Sequence, residues 1–282
     1  MAIGSLLPSL IIGNKEGTSN EFFILLISIN GFTLLTTLLT IIIFRSNPPS
    51  PPSPSEEHYQ QINIKEDLIK LLTNYQYLIL LVGFSFGLGI CSAVVSVLDQ
   101  LIAPSGYTSE DAGVFGAAVI IAGIFNSFFV GFIMDKTHAY RLILKILLIG
   151  ACGSGILFLI FLQPNKFYPL AVSLGLMGFF FLPLLPVSFE CAVECTYPIR
   201  AEWSTGLLLC TGNIFGAIYI YVLEYLIQLA PTYKPGQIFT PAAIFMLCFY
   251  IISGVPLFLY KGPYLRLQAE KRVDTTSTLN TS

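Results

Sequence analysis

Seven stretches of the chain are apolar almost without a break: residues 21–44, 77–102, 112–134, 142–162, 168–189, 203–229 and 239–260. Each reaches the roughly 20 residues that a helix needs to cross a bilayer. None alternates over about ten residues, as a barrel strand does. The pattern predicts an all-α, polytopic membrane protein with about seven full transmembrane helices. Residues 1–12 add an apolar piece of about half a span, which reads as the end of a helix. Short connections rich in Gly, Pro and polar residues lie at 13–20, 103–111, 163–167 and 230–238.

The connection at 45–74 is different. Pro48, Pro49, Pro51, Pro52 and Pro54 make it a stiff, extended spacer. Ile64, Leu68, Leu71 and Leu72 then form an apolar stripe, which predicts a short amphipathic helix at the membrane interface. A plain linker is the alternative.

Composition narrows the class. Hydrophobic residues make up 55% of the chain and charged residues 11%, against about 25% charged in a soluble domain. A soluble enzyme and a disordered chain are both excluded. A net charge of -2 offers no basic field for nucleic acid. All six cysteines sit in apolar runs without a CxxC pair, and His58 and His138 are the only histidines. No metal site, disulfide framework or cofactor is expected. No nucleophile or phosphate loop suggests an enzyme.

Basic residues set the orientation. Eleven (Arg45, Lys65, Lys70, Lys136, Arg141, Lys145, Arg200, Lys261, Arg266, Lys271 and Arg272) fall on the side of the Pro-rich loop, and three (Lys15, Lys166 and Lys234) on the other. The loop and the C-terminal tail are therefore expected in the cytosol. The glycosylation signal at Asn280 lies on the wrong side for that modification.

Polar residues within spans are informative, because lipid penalises them. Spans 142–162 and 239–260 hold few and suit a lipid-facing position. Span 77–102 carries Ser85, Ser92, Ser96, Asp99 and Gln100. Span 112–134 carries Asn126 and Ser127. Span 203–229 carries Thr205, Thr211, Asn213, Tyr219, Tyr221 and Glu224. These three are expected to face a polar interior or a partner helix. Ser92, Asn126, Asn213 and Tyr219 are the candidate substrate-binding residues, with the first three expected to face one shared cavity. Gly83-xxx-Gly87 and Gly212-xxx-Gly216 allow close helix contact. Pro183 and Pro186 free backbone carbonyls and can bend span 168–189.

A charged constellation sits at one membrane side. Gly131-Phe-Ile-Met-Asp135-Lys136-Thr-His-Ala-Tyr-Arg141 joins two spans. Asp135 can accept bonds from a helix N-terminus, where the dipole is positive; the span starting near Trp203 is the expected donor. Gly131 is read as permitting close helix approach. Glu190 and Glu194, four apart and so on one helix face, end another span at the same side. Lys136 and Arg141 are placed to meet them. Together these six residues read as a gate that locks one conformation and opens in the other. Interfacial charges that simply snorkel to water are the alternative.

These residues resemble a known group. The Gly131–Arg141 segment is similar to the G-xxx-D-(R/K) loop signature of the major facilitator superfamily. Leu185-Pro-Val-Ser-Phe-Glu190-Cys-Ala-Val-Glu194-Cys-Thr-Tyr-Pro198, followed by Gly206-Leu-Leu, resembles solute carrier family 49, the feline leukemia virus subgroup C receptor-related (FLVCR) transporters. Gly4-Ser-Leu-Leu-Pro8, Phe44 to Pro52 and Asp99-Gln100 agree, and Pro263-Tyr-Leu-Arg266-Leu-Gln-Ala-Glu270 resembles the tail of the family's member 3 branch.

The resemblance implies the C-terminal half of a major facilitator fold. Residues 1–44 would hold the end of helix five and helix six, and 45–75 the cytosolic central loop. Residues 76–262 would form the six-helix half, and 263–282 a cytosolic tail. The first four helices would lie outside the chain, so a missing N-terminal half is expected in cis or trans. Helices seven and ten would line the cavity, eight and eleven flank the seam, and nine and twelve face lipid. Helix six, with Asn30 and several threonines, is more polar than that scheme suggests. Family members are associated with haem and choline. Choline-handling members use aromatic rings and a glutamine on helix eleven; here those positions hold Ser92 and Asn213.

The expected function is transport of a small organic solute by alternating access, in the plasma membrane or an endolysosomal membrane. A non-transporting remnant or regulatory subunit is an alternative, and so is a seven-helix receptor.

Overall fold

The computed structural model describes residues 19–43, 64–229 and 240–280. The apolar piece at 1–12 and the proline run lie outside them. Among the described residues are eleven α-helices and no strand. Seven helical segments are long and apolar enough to cross a membrane, α7 and α8 counting as one. The chain forms two compact units, Met1–His58 and Tyr59–Ser282.

In the first unit, α1 (Ser19–Ile43) accounts for its own polarity. Ser28, Asn30, Thr33, Thr36, Thr37 and Thr40 each donate to a carbonyl one turn earlier, at 2.7–3.2 Å. Those donors need no partner helix, which removes most of the cost of placing them in lipid.

The second unit begins with the expected amphipathic helix, α2 (Ile64–Thr73). Leu71 is fully buried, whereas Ile64 and Leu72 stay exposed. Asn74 ends it and starts α3 (Tyr75–Ser96) by accepting from the N–H groups of Gln76 and Tyr77. The chain breaks at Val97, then runs through α4 (Leu98–Ile102) and a 3₁₀ turn closed by Gly106 at φ +86°. A reciprocal cap between Thr108 and Asp111 opens α5 (Ser109–Thr137). Then follow α6 (Tyr140–Phe161), α7 (Phe167–Phe181), α8 (Leu184–Thr196), α9 (Ala201–Gln228), α10 (Pro241–Leu259) and α11 (Leu265–Asn280).

The α7–α8 span is broken at Leu182-Pro183, where the prolines led one to expect a bend. Helix α3 packs between α9 and α10, while α7 packs between α5 and α6. Helix α8 meets α3, α6, α9 and α11. Apolar clusters fill both ends of the bundle. One centres on Tyr77, Leu144, Val187 and Leu208, the other on Ile90, Phe115, Phe158 and Leu223.

Glycines set the closest approaches. A Cβ on Gly89 would sit 3.0 Å from the Gly216 nitrogen, and one on Gly83 would sit 3.0 Å from the Ser253 carbonyl. A Cβ on Gly178 would overlap the Val119 backbone. Gly131 makes no such approach among the described residues: none of their atoms lies within 4 Å of where its Cβ would be.

Candidate functional site

At the charged end of the bundle, Asp135, Glu190, Glu194, Arg266 and Glu270 converge, with His138 and Tyr140, on a cleft of about 250 Å3. Four elements supply them: α5, α6, α8 and α11. Glu194 is only 3% exposed. Its Oε2 accepts from the N–H of Leu267 at 3.2 Å. Leu267 lies in the first turn of α11, so a buried carboxylate meets the positive end of a helix dipole.

The cation opposite these carboxylates is Arg266. Its Nε lies 3.2 Å from Glu270 Oε1, one turn on. Burial works to lower the Arg266 pKa. The hydrogen bond and charge of Glu270, helped by Glu190 and Glu194, outweigh burial and hold the pKa above its ordinary value.

The expected cations go elsewhere. Lys136 Nζ lies 4.4 Å from the centre of the Phe132 ring. The Arg141 guanidinium lies 4.4 Å from the centre of the Tyr264 ring, and the Arg141 N–H donates to the Tyr264 hydroxyl at 3.0 Å. Neither forms an ion pair with Glu190 or Glu194 among the described residues. Asp135 is exposed at the rim of the cleft and makes no hydrogen bond to the N-terminus of α9.

A strap completes this end. The Tyr260 hydroxyl donates to the Cys191 carbonyl at 2.8 Å. The Lys261 N–H donates to Gln76 Oε1 at 3.0 Å. The Tyr264 ring stands edge-on to Tyr140, with centroids 5.7 Å apart. Residues 260–267 thus join the starts of α3 and α6 to the end of α8. Asn74 adds a further tie from its Nδ2 to the Cys195 carbonyl at 2.9 Å. Sequence reasoning missed Tyr260, Tyr264 and Arg266. The four-residue spacing of Arg266 and Glu270 was a usable signal; the ring contacts left none.

The candidate substrate residues separate. Asn126 is 7% exposed, and its Nδ2 donates to the Phe179 carbonyl at 2.7 Å. Phe179 lies four residues before Pro183, whose missing N–H leaves that carbonyl without its helical partner. Asn126 on α5 therefore closes the gap that the break opens in α7.

The other three residues share the α3–α9 pair. Ser92 is half-buried at the seam, its Cβ 3.7 Å from where a Gly216 Cβ would be. Asn213 is exposed, and its Nδ2 donates to the Leu209 carbonyl at 2.8 Å. Tyr219 is 3% exposed among Phe86, Phe215, Phe245 and Phe249, at centroid distances of 4.4–6.4 Å. Its buried hydroxyl has no hydrogen-bond partner among the described residues. Ser85 and Thr211, 2.6 Å apart, bond α3 to α9, and Gln100 donates to Glu224 at 3.2 Å.

Residues 1–218 match the family model of the Major Facilitator Superfamily, and the chain belongs to that superfamily. Within it, the chain is similar to transporters of solute carrier family 49. It is 32% identical over 200 residues to solute carrier family 49 member A3 of Xenopus tropicalis, covering 71% of this chain and 42% of that protein. It is 27% identical over 278 residues to the choline/ethanolamine transporter FLVCR2 of Homo sapiens, covering 95% of this chain and 51% of that one. A bacterial homologue of the human lysosomal transporter Spinster, solved inward-facing and unoccupied, superposes with a TM-score of 0.57 at 16% identity. That match covers 92% of this chain and 64% of the other, and it supports the fold. The chain spans about half the length of the curated relatives it matches.

Proposed function

We propose that the chain supplies helix six and the C-terminal six-helix half of an alternating-access transporter. An N-terminal half, in cis or in trans, completes the cavity. The charged end faces the cytosol, in keeping with the bias of basic residues. The Asp135–Glu194–Arg266 cleft with its strap forms the C-terminal part of the cytosolic gate. The cargo is a small organic cation of the choline and ethanolamine class, the class named for relatives such as FLVCR2.

One observation carries the cargo site. Asn213 is exposed at mid-span, on a stripe of α9 that also presents Gly206, Cys210, Ala217 and Tyr221. An amide there is costly against lipid and useful against a wet cavity. Its Nδ2 is bound to its own helix, which leaves Oδ1 as the acceptor for a donor on the solute. Ser92 and Tyr221 neighbour that surface. Asn126 and Tyr219 have structural surroundings and are left out of the site.

Radiolabelled choline and ethanolamine uptake tests this reading. Saturable uptake that falls at least about fivefold in Asn213→Ala supports it, the loss expected for one hydrogen bond to a charged solute. Absence of saturable uptake of either compound overturns the cargo class.

A further inference from the structure

At the end of the bundle opposite the charged cleft, one cation is held over an apolar groove. The groove, of about 340 Å3, runs between α6 and α7 and is lined by Leu157, Phe161, Tyr168, Val172 and Leu176 among others. Tyr168 is 81% exposed and Val172 61% exposed, so this is outer surface of the bundle. Lys166 Nζ lies 5.8 Å from the centre of the Phe161 ring, which places the cation at the groove's mouth.

The turn that carries Lys166 is fixed. The Tyr107 hydroxyl donates to the Gln163 carbonyl at 2.8 Å and accepts from the Lys166 N–H at 2.9 Å. Asn165 bends the chain in the left-handed region, at φ 61°. Two ion pairs among the described residues, Arg200–Glu202 and Arg266–Glu270, do not involve Lys166.

A positive charge at the aqueous edge of a hydrocarbon-lined groove matches a molecule with a negative head and an apolar tail. We propose that this groove binds one glycerophospholipid with an anionic headgroup. An acyl chain lies along Phe161, Val172 and Leu176, and the phosphate meets the Lys166 ammonium and the Tyr168 hydroxyl. A free phosphate makes no use of the groove. A zwitterionic lipid brings its own ammonium up to Lys166 and gains less. The inference is independent of the transport reading.

The test titrates the purified protein in neutral detergent with dioleoyl phosphatidylglycerol, dioleoyl phosphatidylcholine and inorganic phosphate. Native mass spectrometry counts lipid adducts, and the thermal midpoint reports stabilisation. Phosphatidylglycerol should bind about fivefold more tightly than phosphatidylcholine, the factor one lysine contributes near an anionic head. Lys166→Glu and Lys166→Ala should each remove that preference without weakening phosphatidylcholine. Val172→Trp should fill the groove and weaken both lipids alike. Equal affinity for the two lipids, a preference that survives both Lys166 variants, or an equal effect of phosphate alone overturns the proposal.

Discussion

Asn126 shows how one residue type supports two roles that sequence alone leaves open. A mid-span amide either faces water and solute or satisfies a buried partner. Here the partner is the Phe179 carbonyl, 53 positions away. Half of that link was legible, since Pro183 must free the carbonyl four residues earlier. That Asn126 would reach it depends on how α5 packs against α7, which periodicity does not encode. Asn126→Ala should therefore cost stability, about 1 kcal/mol for an interhelical bond in a membrane protein, read as a lowered thermal midpoint. Solute affinity of the folded protein should stay unchanged. A drop in affinity at constant midpoint would return Asn126 to the cargo site. Glu194 allows a finer test. Glu194→Gln keeps an acceptor for the Leu267 N–H and loses only the charge, whereas Glu194→Ala loses both. Hydrogen exchange in the first turn of α11 should be near normal in the first variant and clearly faster in the second. Equal protection in both would mean that Glu194 does not hold α11.

At the scale of elements, hydropathy located each span among the described residues, because about 20 apolar residues in a row leave few other options. It also located the break in the α7–α8 span, because proline acts through the backbone wherever it stands. The polarity of α1, more than a lipid-facing helix suggests, had no explanation in the sequence. Each donor turns back on its own helix, a local bond that composition counts cannot show. Glycine was the least legible. The small-xxx-small pattern found Gly83 and Gly212 but not Gly89 or Gly178, and Gly131 was assigned a contact that it does not make among the described residues. A glycine's role depends on what lies opposite, so substitutions should separate the cases sharply. Gly178→Ala must push α5 and α7 apart at Val119, and overpacking of that kind costs about 1–3 kcal/mol. Gly131→Ala meets open space and should be neutral or slightly stabilising, since alanine is the better helix former. Comparison of expression yield and thermal midpoint checks both. A neutral Gly178→Ala would show that the α5–α7 contact gives way easily.

For the whole molecule, the sequence grouped the carboxylates of the charged layer, and the structure gives them other neighbours than the cations the sequence suggested. Asp135, Glu190 and Glu194 do share one cleft, since each lies at the same end of its span. Their cation comes from α11, and Arg141 is engaged by Tyr264 instead. Residues 260–267 consequently tie the starts of α3 and α6 to the end of α8. In the proposed gate, opening this end requires those contacts to loosen. The Arg141–Tyr264 contact is the one to test, because it joins the strap to α6 through both a ring face and a backbone donor. A double-mutant cycle on Arg141→Ala and Tyr264→Ala should show a coupling of at least about 0.5–1 kcal/mol, the lower range for a cation–π pair, since both residues are half-buried. The cycle on Arg141→Ala and Glu194→Ala should be additive. Loss of that coupling energy shifts a two-state population about two- to fivefold toward the open form. Native thiols report the shift. Cys191 and Cys195 are buried beneath the strap. Maleimide labelling at Cys191 and Cys195, resolved by peptide mass and normalised to total protein, should rise by that factor in Tyr264→Ala and change little in Tyr264→Phe, which keeps the ring. Unchanged labelling in Tyr264→Ala, or an equal rise in both variants, would show that the ring of Tyr264 does not hold this end closed.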